Sequence, residues 1–210
     1  SVILEEKEKL RTEEERLEYA QNIEEAAGRL SALISNILRL NKLEHQQIDP
    51  EIESYDLCGQ LEECILNYEE MWDEKDLDLE VDLEEKTVVD ADRSLMELVW
   101  NNLLSNAIKF TEPGGRVSVR QTSSDGYAVV EVTDTGCGMS RENIRHIFDK
   151  FYQGDTSHSK EGNGLGLALV RRILILMNGE ISVVSEEGRG STFTVSIPAA
   201  GKIQEKKKWS

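Results

Sequence analysis

Five stretches of this sequence carry residues whose types and spacing could do chemistry. In the first, Asn101–Phe110, Asn102 and Asn106 fall four apart and share a helix face, with Lys109 one turn further on. Asparagine is unfavourable inside a helix, and two on one face ask for a reason. Their amide oxygens can complete the shell of a hard cation such as Mg2+, and Lys109 can supply charge to a phosphate. A solvated polar face is the plain alternative. The second stretch, Asp134-Thr135-Gly136-Cys137-Gly138-Met139, puts a carboxylate straight after a strand pattern. Such a carboxylate can accept from a planar amine, and the two glycines would admit a close ligand; an ordinary turn competes. Arg141 stands where a Rossmann fingerprint needs its third glycine, which excludes that motif. The third, Gly162-Asn163-Gly164-Leu165-Gly166-Leu167, opens an apolar helix, and exposed amides at a helix start bind anions. No Gly-Lys-Ser/Thr follows, so it is not a Walker loop. Gly188-Arg189-Gly190-Ser191-Thr192-Phe193 reads by itself as a hairpin turn. Phe148, Phe151 and Tyr152 could anchor a mobile flap over a ligand or serve a core.

Elements must hold these residues in place. Leu95, Leu98, Val99, Leu103 and Ile108 predict a helix over 93–110, closed by Pro113-Gly114-Gly115. Strands are predicted at 116–122 and 127–133, joined through Ser123-Ser124-Asp125-Gly126, a hairpin signal. A short helix at 140–151, a polar stretch at 152–163, a helix at 164–178 and strands at 180–186 and 191–197 follow. Upstream, strands at 52–58 and 77–90 (Leu77, Leu79, Val81 and Leu83 alternate) flank a helix near 57–75. Hairpins outnumber crossovers, so the sheet should be mixed and the fold class α+β. The longest signal is residues 13–46, where Ile23, Ala27, Leu30, Ile34 and Ile37 repeat at 4-3-4-3 and Leu33 and Leu40 widen the stripe. Thr12 before Glu13-Glu14-Glu15 is a good cap. A helix of this length is not stable alone, so its stripe should meet other helices.

Acids outnumber bases 41 to 24 among 210 residues, a net charge of −17. That argues against a nucleic-acid partner, which needs a basic face. The imbalance lies upstream: residues 1–100 hold 29 acids and 10 bases, residues 101–210 hold 12 and 14. The second half would therefore tolerate a polyanionic ligand. Three cysteines without metal or disulfide spacing, and no long apolar run, lead to the expectation of a soluble, cytoplasmic chain of one or two domains.

Taken in order, Asn102–Thr111, DTGCGM, FDKFYQGD, GNGLGLAL and GRGSTF resemble the N, G1, F, G2 and G3 boxes of sensor histidine kinases. These belong to the ATPase superfamily shared with Hsp90-type chaperones, type II topoisomerases and MutL-like repair proteins. The resemblance spans residues 13–198. It implies a two-layer α/β sandwich of Bergerat type over 50–198, a partial dimerisation region over 1–48 and a solvated tail over 199–210. It implies ATP with Mg2+, held between helices 93–110 and 164–178 beneath a flap at 145–163. Asn106 would ligate Mg2+ with help from Asn102, Lys109 would contact phosphate, and Asp134 would accept from the adenine amino group beside Gly136, Gly138 and Met139. Gly162, Asn163, Gly164, Leu165, Gly166 and Leu167 would hold phosphates, Thr192 would close the base pocket, and Phe148, Phe151 and Tyr152 would steady the flap.

The resemblance further implies transfer of the γ-phosphate to a histidine, a response regulator receiver domain as partner, and a homodimer through helix 13–46. Yet His45, His146 and His158 lack the family's acceptor pattern, and Glu8 and Glu13 occupy the histidine and proline places near Leu10-Arg11-Thr12. Val2–Lys9 is read as the end of a first helix whose histidine lies upstream, where any membrane segment would also lie; a natural lack of the acceptor is the alternative. Two other functions compete. One is a nucleotide-sensing interaction module without transfer activity. The other is an ATP-hydrolysing clamp, against which stands Asn102, where such ATPases carry a glutamate base, with Glu97 as the nearest acid.

Overall fold

The computed structural model describes residues 13–45, 49–153 and 164–201. Val2–Lys9, Thr12, His158, Gly162, Asn163, most of the polar stretch before Gly164, and Lys202–Trp209 lie outside the described residues. In chain order the elements are α1 (Glu13–Glu44), β1 (Glu53–Asp56), α2 (Leu57–Leu66), α3 (Glu69–Glu74), β2 (Asp78–Asp82), β3 (Val88–Ala91), α4 (Arg93–Phe110), β4 (Arg116–Ser124), β5 (Tyr127–Asp134), α5 (Arg141–His146), α6 (Gly166–Leu176), β6 (Glu180–Glu186) and β7 (Gly190–Pro198).

The larger sheet has the order β2-β4-β5-β7-β6, with β2 parallel to β4 and the other neighbours antiparallel. It is the expected mixed sheet of an α+β sandwich. Asp125 and Gly126 both take left-handed backbone between β4 and β5, the twist a two-residue hairpin needs. Along β2, Asp78 and Asp82 pair with Arg116 and Arg120 on β4 at 2.9 and 3.2 Å, which fixes the parallel register. Each exposed pair adds about 0.2–1 kcal/mol.

The alternation over 77–90 is not one strand. β2 joins the large sheet, and β3 leaves it to pair antiparallel with β1. The break is made by Glu84, whose carboxylate accepts from Ser123 N–H, Ser123 Oγ and Thr87 Oγ1 at 2.6–2.8 Å. These bonds hold its pKa below the usual carboxylate range.

Val117, Val119, Val130, Val132, Phe193 and Val195 alternate inward from β4, β5 and β7. Against them pack Met96, Val99, Trp100 and Leu103 of α4 and Leu169 and Ile173 of α6, all fully buried. Burial of Trp100 is completed by its Nε1–H, which donates to Gln60 Oε1 at 3.1 Å. Asp92 caps α4 by accepting from Leu95 N–H at 3.0 Å.

Leu40 and Leu43 of α1 enter this same core. The Arg172 guanidinium of α6 donates to the Leu43 carbonyl from Nε and Nη2, at 3.1 and 2.8 Å. Leu33 packs against the edge of this core, whereas Ile23 and Leu30, further up the stripe, are 68% and 56% exposed.

Candidate nucleotide site

α4 and α6 pack over one end of the sheet and leave a cleft of about 380 Å³ between them. Asn102, Ser105, Asn106 and Lys109 line it from α4 at intervals of three and four, as one helix stripe must. The Asn102 amide is oriented: Nδ2 donates to Leu98 O at 2.6 Å, which turns Oδ1 toward the start of α6. A β-carbon at Gly166 would collide with that oxygen, so Gly166 sets how closely α6 approaches α4. Gly164, Gly166 and Leu167 bring the α6 N-terminus to the cleft, while Leu165 turns into the core. An eleven-residue helix begins here, and the first turn of a helix presents backbone N–H groups and the positive end of its dipole to an anion.

Asp134 closes β5 at the floor of the cleft, nearly buried. Oδ1 accepts from Gly136 N–H at 2.9 Å, and the nearby Ser191 backbone N–H also favours the ionised carboxylate. Burial raises the Asp134 pKa, and the two backbone donors offset part of the rise. An acceptor held this way in the lining of the cleft suits an exocyclic amine.

The two glycines after Asp134 are used differently from the expectation that they make room for a ligand. A β-carbon at Gly136 would strike the Phe110 carbonyl, and one at Gly138 (φ +64°) would strike that of Glu186. A β-carbon at Gly190 would in turn strike the Asp134 carbonyl, and Gly188 N–H donates to Cys137 O at 2.7 Å. The turns 134–139 and 186–190 are thus interlocked backbone to backbone, and their glycines permit that approach. Gly138 and Met139 still line the cleft; Gly136 does not.

Thr192 is not brought to the cleft. It faces the other side of β7, its hydroxyl 3.0 Å from that of Thr133, and Ser191 and Phe193 line the cleft instead. Strand alternation was the signal available: Ser191 lies opposite Asp134 and shares its face with Phe193. Of the three aromatics, Tyr152 lines the cleft and its hydroxyl donates to Asn143 Oδ1 at 2.9 Å. Phe148 stacks near the Arg171 guanidinium, and Phe151 is 63% exposed, in left-handed backbone (φ +62°) with its N–H donating to Gly164 O. The predicted helix 140–151 therefore stops at His146, and residues 147–153 bend back to meet Gly164.

Asn36 of α1, Ser105, Asn143 and Gln153 also line the cleft and were not anticipated. Ser105 could have been read from the Asn102–Lys109 stripe. Asn36 comes from a distant helix and leaves no local signal. Among the described residues, Asp134 is the one acid and no histidine is in the lining. Glu97 is exposed on the far side of α4.

Residues 91–201 match the family of histidine kinase-, DNA gyrase B- and HSP90-like ATPases, and the chain belongs to that family. Within it, the chain carries a histidine kinase ATPase catalytic domain. It is 36% identical to the circadian input-output histidine kinase CikA of Synechococcus elongatus, over 89% of this chain and 25% of that protein. It is 30% identical to the sensor-like histidine kinase SenX3 of Mycobacterium tuberculosis, over 86% of this chain and 45% of that one. The full-length structure of ShkA in complex with AMPPNP superposes with a TM-score of 0.77 at 28% identity, over 90% of this chain and 39% of that chain. The chain thus spans a quarter to under a half of these curated relatives.

Proposed function

We propose that this cleft binds Mg·ATP and presents its γ-phosphate to a histidine on a dimerisation domain. One observation carries the reading: Asn102, Asn106 and Lys109, the Asp134 carboxylate and the α6 N-terminus converge on a single cleft. In this reading Asp134 accepts from the adenine amino group, with Ser191 and Phe193 beside it. The amides of Gly164, Leu165 and Gly166 donate to phosphate oxygens, and Lys109 pairs with phosphate charge. Bound Mg2+ would neutralise the phosphates. Asn106 offers it an amide oxygen, and since no acid cluster of metal-binding type occurs among the described residues, phosphate oxygens and water would supply most of its shell.

Phosphate transfer needs a nucleophile, and among the described residues the cleft lining has no histidine and no carboxylate besides Asp134, which this reading assigns to the adenine. General-base assistance contributes about 10²–10⁴-fold, so hydrolysis at this site should be slow and γ-phosphate should persist until an imidazole is presented in line. This disfavours the hydrolytic clamp. The exposed apolar stripe of α1 fits a homodimer interface, and a response regulator receiver domain is the onward acceptor the reading implies. No described helix is long and apolar enough to cross a membrane.

The test is incubation with γ-labelled ATP, alone and with a separately made dimerisation domain bearing the family's histidine box. Acid-labile label on the added domain only is expected. Label on this chain alone, or rapid phosphate release without a partner, would overturn the reading.

A further inference from the structure

Lys75, in the turn after α3, sends its ammonium under the C-terminal end of α4. Nζ donates to the carbonyls of Ile108, Lys109 and Thr111 at 2.8, 2.9 and 3.0 Å, using all three hydrogens. The neighbouring carbonyls are met by other groups. Ala107 O accepts from Thr111 N–H and Oγ1, and Phe110 O accepts from Cys137 N–H. The last carbonyls of a helix are otherwise unpaired and carry the negative end of its dipole. A half-buried cation on three of them holds this turn in one arrangement. That turn bears Asn106, Lys109 and Phe110, which line the cleft, and its Phe110 carbonyl seats the turn behind Asp134. Lys75 itself does not line the cleft. Its own carbonyl accepts from Gly114 N–H at 2.9 Å, so the staple is tied at both ends.

We infer that Lys75 is a positioning residue of the nucleotide site, setting the reach of Lys109 toward the phosphates. This rests on the Mg·ATP reading above. The experiment is calorimetric titration of Mg·ATP at 10 °C, with each protein shown by its melting curve to be folded, on wild type, Lys75→Met, Lys75→Arg, Lys109→Met and the Lys75→Met/Lys109→Met pair. Lys75→Met should weaken binding about tenfold, and Lys75→Arg should recover most of that loss. The paired variant should bind no worse than Lys109→Met, because a residue acting through Lys109 has nothing left to position. A lower melting temperature with unchanged affinity, or losses that simply multiply in the pair, would overturn the inference. Should Lys75→Met not fold, Lys75→Gln, which keeps two donors without charge, takes its place under the same criteria. Wild type that fails to bind Mg·ATP would sink the nucleotide reading itself, a different outcome from wild type that binds and a Lys75 variant that binds equally well.

Discussion

Asp134 is held where an ionised carboxylate is unwelcome, and the direction of its pKa shift makes that a stability statement. Burial raises the pKa, so the folded state binds this proton more tightly than the unfolded chain. The stabilisation from the protonated form is fully present below the unfolded-state pKa of about 4 and is lost as pH rises through the higher folded value. Asp134→Asn keeps an acceptor for Gly136 N–H and cannot ionise. The variant should therefore gain stability relative to wild type as pH rises from about 4 to 7, while losing nucleotide affinity. Urea unfolding of both proteins across that range measures it; a variant-minus-wild-type stability that falls with rising pH would contradict the account. A similar lesson holds at Ser191. The box that contains it was legible, but its residue facing the ligand depends on strand parity, and Thr192 falls on the opposite face.

Elements were read best where independent physical signals agreed. Arg93–Phe110 is the predicted helix, since apolar periodicity and Pro113-Gly114-Gly115 agree, and the Asp92 cap in the structure sets its start. Residues 77–90 misled because alternation reports burial on a pleated surface, not which sheet the strand joins; the decision is made by Glu84 bonding to Ser123, far along the chain. The short helix before the flap was overextended because its apolar and aromatic residues continue past His146, while the left-handed Phe151 is held by a bond to the distant Gly164. α1 was legible as a helix, but its docking was not. Its last turns are tied to α6 by Leu40, Leu43 and the two Arg172 hydrogen bonds to the Leu43 carbonyl. Arg172→Met should release this end, because charge-assisted bonds of this kind contribute about 1.5–3 kcal/mol. Amide exchange over residues 38–45 should accelerate at least about tenfold while β4, β5 and β7 keep their protection. Unchanged exchange in that segment would show that apolar packing alone holds the helix.

Across the whole molecule, charge is sorted away from the site. The acids of α2 and α3, including Glu62, Glu63, Glu69, Glu70, Asp73 and Glu74, are exposed to solvent, and none of them lines the cleft. Among the described residues, the cleft itself presents Lys109, a helix N-terminus and one carboxylate, that of Asp134. A chain of net charge −17 can thus offer a polyanion a local field of the opposite sign. The composition split between the two halves of the sequence anticipated this sorting, while the geometry shows which elements carry it. The most direct measurement is calorimetric titration of the protein with ATP and Mg2+, repeated on Asp134→Ala and Asn106→Ala. The account predicts single-site binding in wild type and a loss of about tenfold or more in each variant, the scale of one charge-assisted contact. Equal affinity in all three proteins would contradict it.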